Sequence, residues 1–240
     1  MLCRILRYNF MLQGYRVGAI ILMGGSGSRF GGETPKQFLL LGDKRVYLHT
    51  LEAFEQTLLF DEILLVCHPS WVQMVAQEAP RATVIVGGQT RQESSFLGLQ
   101  SFAIQPDIVC IHDAVRPFIS LPILQENITQ ALLHGAVDTC IPSADTLVHA
   151  PQGRWISSIP KRAEYWRGQT PQTFHYSLLW NAHQVARASG MLHASDDCQL
   201  VLAQGHPVHI VLGSEENLKI TTAFDFSLAT MILSTWQPNR

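Results

Sequence analysis

VGAIILMGGSGSRFGGETPKQ, residues 17–37, decides the fold. Uncharged, mostly apolar residues run straight into Gly24, Gly25, Gly27, Gly31 and Gly32, and Arg29 and Lys36 stand in and after the same loop. An apolar run of this length, stopped by glycine, is the pattern of a buried strand in a parallel sheet. Glycines at the strand's carboxyl end accept backbone conformations closed to other residues and let a ligand reach the main chain. With two cations beside them, the ligand that fits is a polyphosphate.

Working outward, similar runs recur. EILLVC (62–67), TVIV (83–86), IVCIH (108–112) and VDTCI (137–141) read as further buried strands. Helical spacing fills 46–59, 70–79, 91–104 and 121–134 between them. Strand and helix in alternation predict an α/β fold with a mostly parallel, doubly wound sheet and right-handed crossovers. The alternation breaks at Pro142. Residues 142–168, with Pro151, Gly153 and Pro160, predict a protruding β-arm turning at 151–153 and suited to pairing with another subunit. A helix at 175–189, a strand at 207–212 and a helix at 223–234 complete the chain, giving an N-terminal extension over 1–16 and a single domain over 17–240.

Composition narrows the function. Of 240 residues 47% are hydrophobic and only 15% charged, with a net charge of −2, so nothing broad attracts nucleic acid or an anionic membrane. Five scattered cysteines without CxxC spacing exclude a disulfide framework and a thiolate zinc site, and point to a reducing cytoplasm. Arg4, Arg7 and Arg16 interrupt the early apolar stretch, which therefore resembles a signal peptide only superficially, and Met11 reads as an alternative start. No run approaches the ~20 apolar residues of a membrane helix.

Ligands of doubly wound sheets gather at the carboxyl ends of the strands. There lie the loop 24–36, GGQTRQES (87–94), HDAVRP (112–117) and GSEENLK (213–219). The first loop has no GK[ST] and so is not a Walker A loop; Phe30 stands where a dinucleotide fingerprint needs its third glycine. Glycines alone could serve only the turn, but Arg29 and Lys36 tip the reading to phosphate. Asp113 either caps its turn or pairs with Arg116, or it binds Mg²⁺ at a phosphate site. Ser94 could cap the following helix. Arg162 and Lys161 could be solvated charges, Asp196 and Asp197 helix caps, and Lys219 a surface residue.

Taken in order, GGSGSR…PKQF, GGQTRQES, HDAVRPF, GQTPQTF, SDDCQLV and NLKITT resemble the cytidylyltransferases that make CDP-linked sugar alcohols, over about residues 17–234. The resemblance implies a Rossmann-like nucleotidyltransferase fold and a homodimer joined through the arm. It implies CTP on Met23, Gly24, Gly25 and Gly27, with Arg29, Lys36 and Lys219 as the catalytic cations. Gly88, Gln89 and Ser94 fall at the base and ribose. Asp113, Ala114 and Arg116 match the motif that handles Mg²⁺ or another divalent cation, ribose and acceptor. Thr146, Arg162 and Thr170 match polyol-phosphate positions, the arm residues coming from the partner subunit. Met23 replaces the usual alanine, and Gln89 stands where an acidic residue is frequent. GGSGSR, GAVDT (135–139) and IPKRAEYWRGQTPQTF (159–174) are closer to the ribitol-5-phosphate branch than to the 2-C-methyl-D-erythritol 4-phosphate branch. The expected reaction moves CMP from CTP to D-ribitol 5-phosphate. A transferase for another nucleotide, an NAD(P)-dependent reductase and a non-catalytic nucleotide-binding protein are the rivals.

Overall fold

The computed structural model describes residues 14–25 and 34–237. Met11, Gly27 and Arg29 lie outside the described residues, as does the extension up to residue 13.

The quoted apolar run is β1 (Val17–Met23), buried along its whole length. A two-stranded hairpin follows, β2 (Leu40–Leu41) and β3 (Lys44–Arg45), then α1 (Val46–Glu55), β4 (Glu62–Cys67), α2 (Val72–Glu78), β5 (Thr83–Val86) and α3 (Arg91–Gln100). Next come β6 (Ile108–Asp113), α4 (Leu121–His134) and β7 (Ala136–Pro142). The chain ends with β8 (Trp166–His175), α5 (Tyr176–Ala188), α6 (Asp197–Leu202), β9 (His209–Leu212) and α7 (Ala223–Leu233). The main sheet has seven strands in the order β5-β4-β1-β6-β8-β7-β9. All run parallel except β8, which pairs antiparallel with both β6 and β7.

Alternating side chains divide the core between the two faces. Val17, Ala19, Ile21 and Met23 pack with α1, α2 and α4, while Ile20 and Leu22 face α3, α5 and α6. α3 sits close to β1: a Cβ on Gly98 would stand 2.9 Å from Ile20. At the carboxyl end a third cluster joins Leu41, Val46, Val115, Phe118 and Ile220 to Ala229 of α7. No described helix is long and apolar enough to cross a membrane, and Cys67, Cys110, Cys140 and Cys198 are buried free thiols.

The structure corrects the sequence reading in three places. TVIV is not a buried strand but the half-exposed edge strand β5. Two helices stop early: the first at Glu55 rather than 59, where Leu58 takes a left-handed φ of 55°, and α3 at Gln100 rather than 104. The tail of the expected arm continues into β8, a central strand. The arm proper, 143–165, is loosely paired. His149 and Ser158 form one antiparallel bridge, and Gly153 turns the tip with a φ of 69°.

Candidate active site

The carboxyl ends of β1, β4, β5 and β6 open into one cavity of about 600 Å³. Leu22, Met23, Gly24 and Gly25 form one wall, and Gly87, Gly88, Gln89 and Thr90 another. Lys36, Gln37, His68, Arg91, Ser94, Asp113 and Lys219 add polar and charged side chains to the lining.

Each glycine loop is fixed by a neighbouring side chain. Gln37 is buried, and its amide donates to the carbonyls of Met23 and Gly25, each at 2.8 Å. The start of the first loop is thus tied to the residue that follows Lys36. The second is pinned by the first turn of α3. Thr90 is the cap, its hydroxyl accepting from the Glu93 amide, and the Glu93 carboxylate accepts from the Gln89 amide at 2.8 Å. A Cβ on Gly88 would meet the Glu93 side chain at 2.2 Å, so a larger residue there would push Glu93 off the Gln89 amide. Ser94 does not cap the helix. Its hydroxyl donates to the Thr90 carbonyl at 2.9 Å and accepts from the Gly88 amide at 3.1 Å, beneath the meeting point of the two loops.

Asp113 ends β6 at the foot of the cavity and is 7% exposed. Its Oδ2 accepts from Lys219 Nζ at 2.6 Å, and Arg91 Nε stands 3.7 Å from Oδ1. Burial alone would raise its pKa; Lys219, Arg91 and Arg116 together overcome that and hold the carboxyl well below the usual carboxylate range. It does not pair directly with Arg116, whose guanidinium donates to the Asn217 carbonyl at 2.7 Å. Asp113 is therefore a permanent anion ringed by cations, and α3 and the turn after β9 supply two of them.

Arg91 escaped the sequence reading, although it opens a helix right after a strand end. Besides Asp113 it binds Asp197, at 2.6 Å from Oδ2. Asp197 is not a cap but a buried carboxylate, also 3.0 Å from His183 Nε2, whereas Asp196 does cap α6. Gln37 was likewise missed, though it stands in plain view in PKQ.

Other expected residues lie behind the wall or away from it. Ala114 is fully buried, its amide donating to Leu22 and its carbonyl accepting from Thr50, so it backs the cavity without lining it. Thr170 is buried; its hydroxyl accepts from the Asp113 amide at 3.1 Å and lies 3.0 Å from His112 Nδ1. It orients Asp113 from behind. His112 itself is pushed down to about 4 by burial and is neutral, with its other nitrogen on the Arg116 carbonyl. Thr146 and Arg162 are exposed on the arm, where Arg162 donates to the Ala144 carbonyl.

The described residues contain no group of three carboxylate, histidine or cysteine side chains able to cage a metal. A single ionised carboxylate at a phosphate cavity nevertheless suits Mg²⁺, which takes few protein ligands and completes its shell with phosphate oxygens and water. Asp113 is that carboxylate, with Oδ1 facing no hydrogen-bond donor closer than Arg91 at 3.7 Å.

Glycine amides, three cations and one carboxylate in a single cavity describe a nucleotide site, and comparison with known proteins agrees. The family model for 2-C-methyl-D-erythritol 4-phosphate cytidylyltransferase, IspD, matches residues 17–235. The chain belongs to the IspD cytidylyltransferase family. Like other IspD-family members it is a nucleotidyltransferase. It is 39% identical over 229 residues to the ribitol-5-phosphate cytidylyltransferase of Lactiplantibacillus plantarum, which covers 90% of this chain and 97% of that protein. Its fold is similar to that of 4-diphosphocytidyl-2C-methyl-D-erythritol synthase from Anaerococcus prevotii, with a TM-score of 0.83, 28% identity and coverage of 94% and 99% of the two chains. The 2-C-methyl-D-erythritol 4-phosphate cytidylyltransferase of Thermus thermophilus matches with a TM-score of 0.75 and 33% identity over 90% of this chain and 98% of that one.

Proposed function

We propose that this IspD-family enzyme transfers CMP from CTP to D-ribitol 5-phosphate, forming CDP-ribitol and pyrophosphate. The carrying observation is the convergence of two glycine loops with Lys36, Arg91 and Lys219 around Asp113 in one cavity. The choice of acceptor follows the name of the Lactiplantibacillus relative. The family model and the solved relatives carry the name of the methylerythritol reaction instead, which makes 2-C-methyl-D-erythritol 4-phosphate the second reading.

CTP lies along Met23 to Gly25 and against Gly88, Gln89 and Ser94, its triphosphate toward Lys36 and the Asp113 cluster. A phosphate oxygen of the acceptor attacks the α-phosphorus, a new P–O bond forms, and the bond to pyrophosphate breaks. The attacking group is a phosphate monoester with a second pKa of about 6, so it is already ionised and gives up no proton. No general base is needed. The obstacle is repulsion between two polyanions, which Lys36, Lys219 and Arg91 lower; they also stabilise the charge spread over the transition state. Mg²⁺ held by Asp113 would supply further charge neutralisation on the triphosphate. Arg29 and Gly27 belong to the same loop by their place in the sequence.

We read the chain as one domain over 17–240 with an extension before it, acting in the cytoplasm as a homodimer. The arm exposes Val148, Trp155, Ile156 and Ile159, Trp155 to 81%. An apolar surface of this kind suits a second copy, and docking there would bring Thr146 and Arg162 to the partner's acceptor site. Incubating the enzyme with CTP, Mg²⁺ and each polyol phosphate in turn, with pyrophosphate release as readout, tests the reaction. Release with ribitol 5-phosphate above all others is the expected result. No release with any polyol phosphate overturns the reaction, and preference for the methylerythritol substrate overturns the acceptor.

A further inference from the structure

Beyond Asp113, on the side away from the glycine loops, the sheet continues through β8 to β7. Val109, Ile111 and Ala136 lie on the face covered by α3, α5 and α6, and the alternation of strand side chains puts Asp113 and Asp138 on that same face. The register sets Asp138 level with Ile111, two residues short of Asp113, so two strand spacings and two residues separate the carboxylates, about 12 Å. Asp138 is a polar residue in the middle of a central strand, and it is only partly buried. Its Oδ1 accepts from Gln172 Nε2 at 3.1 Å, and Gln172 is fixed in turn because its Oε1 accepts the Asp197 amide at 3.1 Å. Among the described residues Asp138 enters no ion pair.

The other oxygen is kept open by a glycine. A Cβ on Gly168, across the ladder in β8, would stand 3.5 Å from Asp138 Oδ2, and Gly168 is exposed. Any longer side chain there would roof the carboxylate. A half-buried, oriented carboxylate whose second close partner is only the weakly donating Cys140 thiol is an acceptor aimed at a neutral hydroxyl donor, since a carboxylate takes hydrogen bonds and gives none. Asp138 lies past the lining of the cavity described above, and an acceptor whose phosphate rests on Lys219 and Arg91, with CTP on the glycine-loop side, has this direction left for its carbon chain.

We infer that Asp138 is the residue that reads the hydroxyl groups of the acceptor, its Oδ2 accepting from the polyol chain while Gln172 holds Oδ1. The inference rests on the polyol-phosphate reading above and assigns Asp138 as a specificity-determining residue of that site. A hydroxyl lost from the ligand, or an apolar group put in its place, leaves this carboxylate desolvated without a partner, and that is a strong basis for rejection. Burial raises the Asp138 carboxyl to about 6, against the hydrogen bonds from Gln172 and Cys140 and the charge of Arg91, with Asp196 adding to the rise. Cys140 from its own strand, Cys198 from α6 and Arg116 from the turn after β6 also face it. The reading of hydroxyls therefore weakens as pH falls through about 6.

The test compares wild type with Asp138→Asn and Asp138→Leu, measuring KM for CTP and for ribitol 5-phosphate separately from pH 5 to pH 8. Asn keeps the shape and the folded state; Leu removes the acceptor atoms. Both variants should raise KM for ribitol 5-phosphate about ten- to a hundred-fold at pH 8, as loss of a hydrogen bond to a charged group requires, and leave KM for CTP within two-fold. The ratio of variant to wild-type KM should shrink toward pH 5; the phosphate's own ionisation cancels in that ratio. Wild type active on ribitol 5-phosphate with unchanged KM in both variants, or a ratio constant with pH, overturns this inference alone. Wild type active only on methylerythritol phosphate overturns the acceptor reading, and the inference with it.

Discussion

At the scale of single residues the site is a contest over charge around Asp113. Lys219 keeps 40% of its side chain exposed while pairing with a carboxylate that Arg91 and Arg116 also serve. Removing Lys219 therefore leaves Asp113 still compensated, and the loss falls on catalysis. Lys219→Ala is expected to lower kcat on the order of 10²- to 10³-fold, the range for deleting one transition-state donor, with a small change in Tm. Lys36→Ala should behave alike. Wild-type turnover in both variants would remove these lysines from the mechanism. Gln37 differs, since its side-chain hydrogen bonds go to backbone carbonyls. Gln37→Ala frees the carbonyls of Met23 and Gly25, and should raise KM for CTP with little effect on the acceptor; an unaltered KM would show that the loop holds its shape without the amide.

At the scale of elements, legibility follows hydrophobicity. β1, β4, β6 and β7 were readable because each is a short apolar run inside a mostly parallel sheet. β8 was not, although six of its residues in a row, Gln169 to Phe174 with Pro171 among them, are buried. Its polar side chains are buried because partners await them: Gln169 donates to Ser214, Gln172 to Asp138, and Thr173 to Asn127. Composition does not announce burial achieved by hydrogen bonds. The same holds for Arg91 and Asp197, whose pairing spans 106 positions. Glycine loops and lysines could be placed from sequence since their strands could. Thr170 could not be told apart as a support, because its role depends on β8 lying beside β6. α3 offers a direct check: it presents Arg91 and Ser94 while resting on Ile20 through Gly98. Gly98→Leu overpacks this contact and should lower stability by about 1–3 kcal/mol in urea unfolding, with weakened CTP binding. An unchanged midpoint would mean that α3 can move outward freely.

At the scale of the whole molecule, opposing ionisations set the response to acid. His112 is held at about 4 when folded, against an ordinary 6.5, so the unfolded chain takes up its proton first and stability falls as pH drops from 6.5 to 4. Asp138 is raised to about 6, so the folded chain takes up that proton first and gains stability as pH falls from 6 toward its ordinary 3.8. The two nearly offset. Burial notwithstanding, Asp113 and Asp197 are held below their ordinary 3.8 by their cations, and their contribution is lost only as pH falls below about 4. Wild type should show a flat Tm from pH 8 to about 4.5 and then a decline. Asp138→Asn should lose stability from 6.5 downward; parallel curves for the two proteins would refute the balance. Deleting 145–164 should leave a monomer that still binds CTP, with little activity, whereas a fully active monomer would rule out a shared site. Finally, β8 enters the sheet between two strands that precede it in the chain, after an excursion whose exposed tip lies at Gly153. A nick at that tip would part β1–β7 from a fragment holding one interior strand and one edge strand. The larger piece would carry a slot the width of a single strand, so the two halves have the makings of a split reporter: inert apart, and active only when brought together.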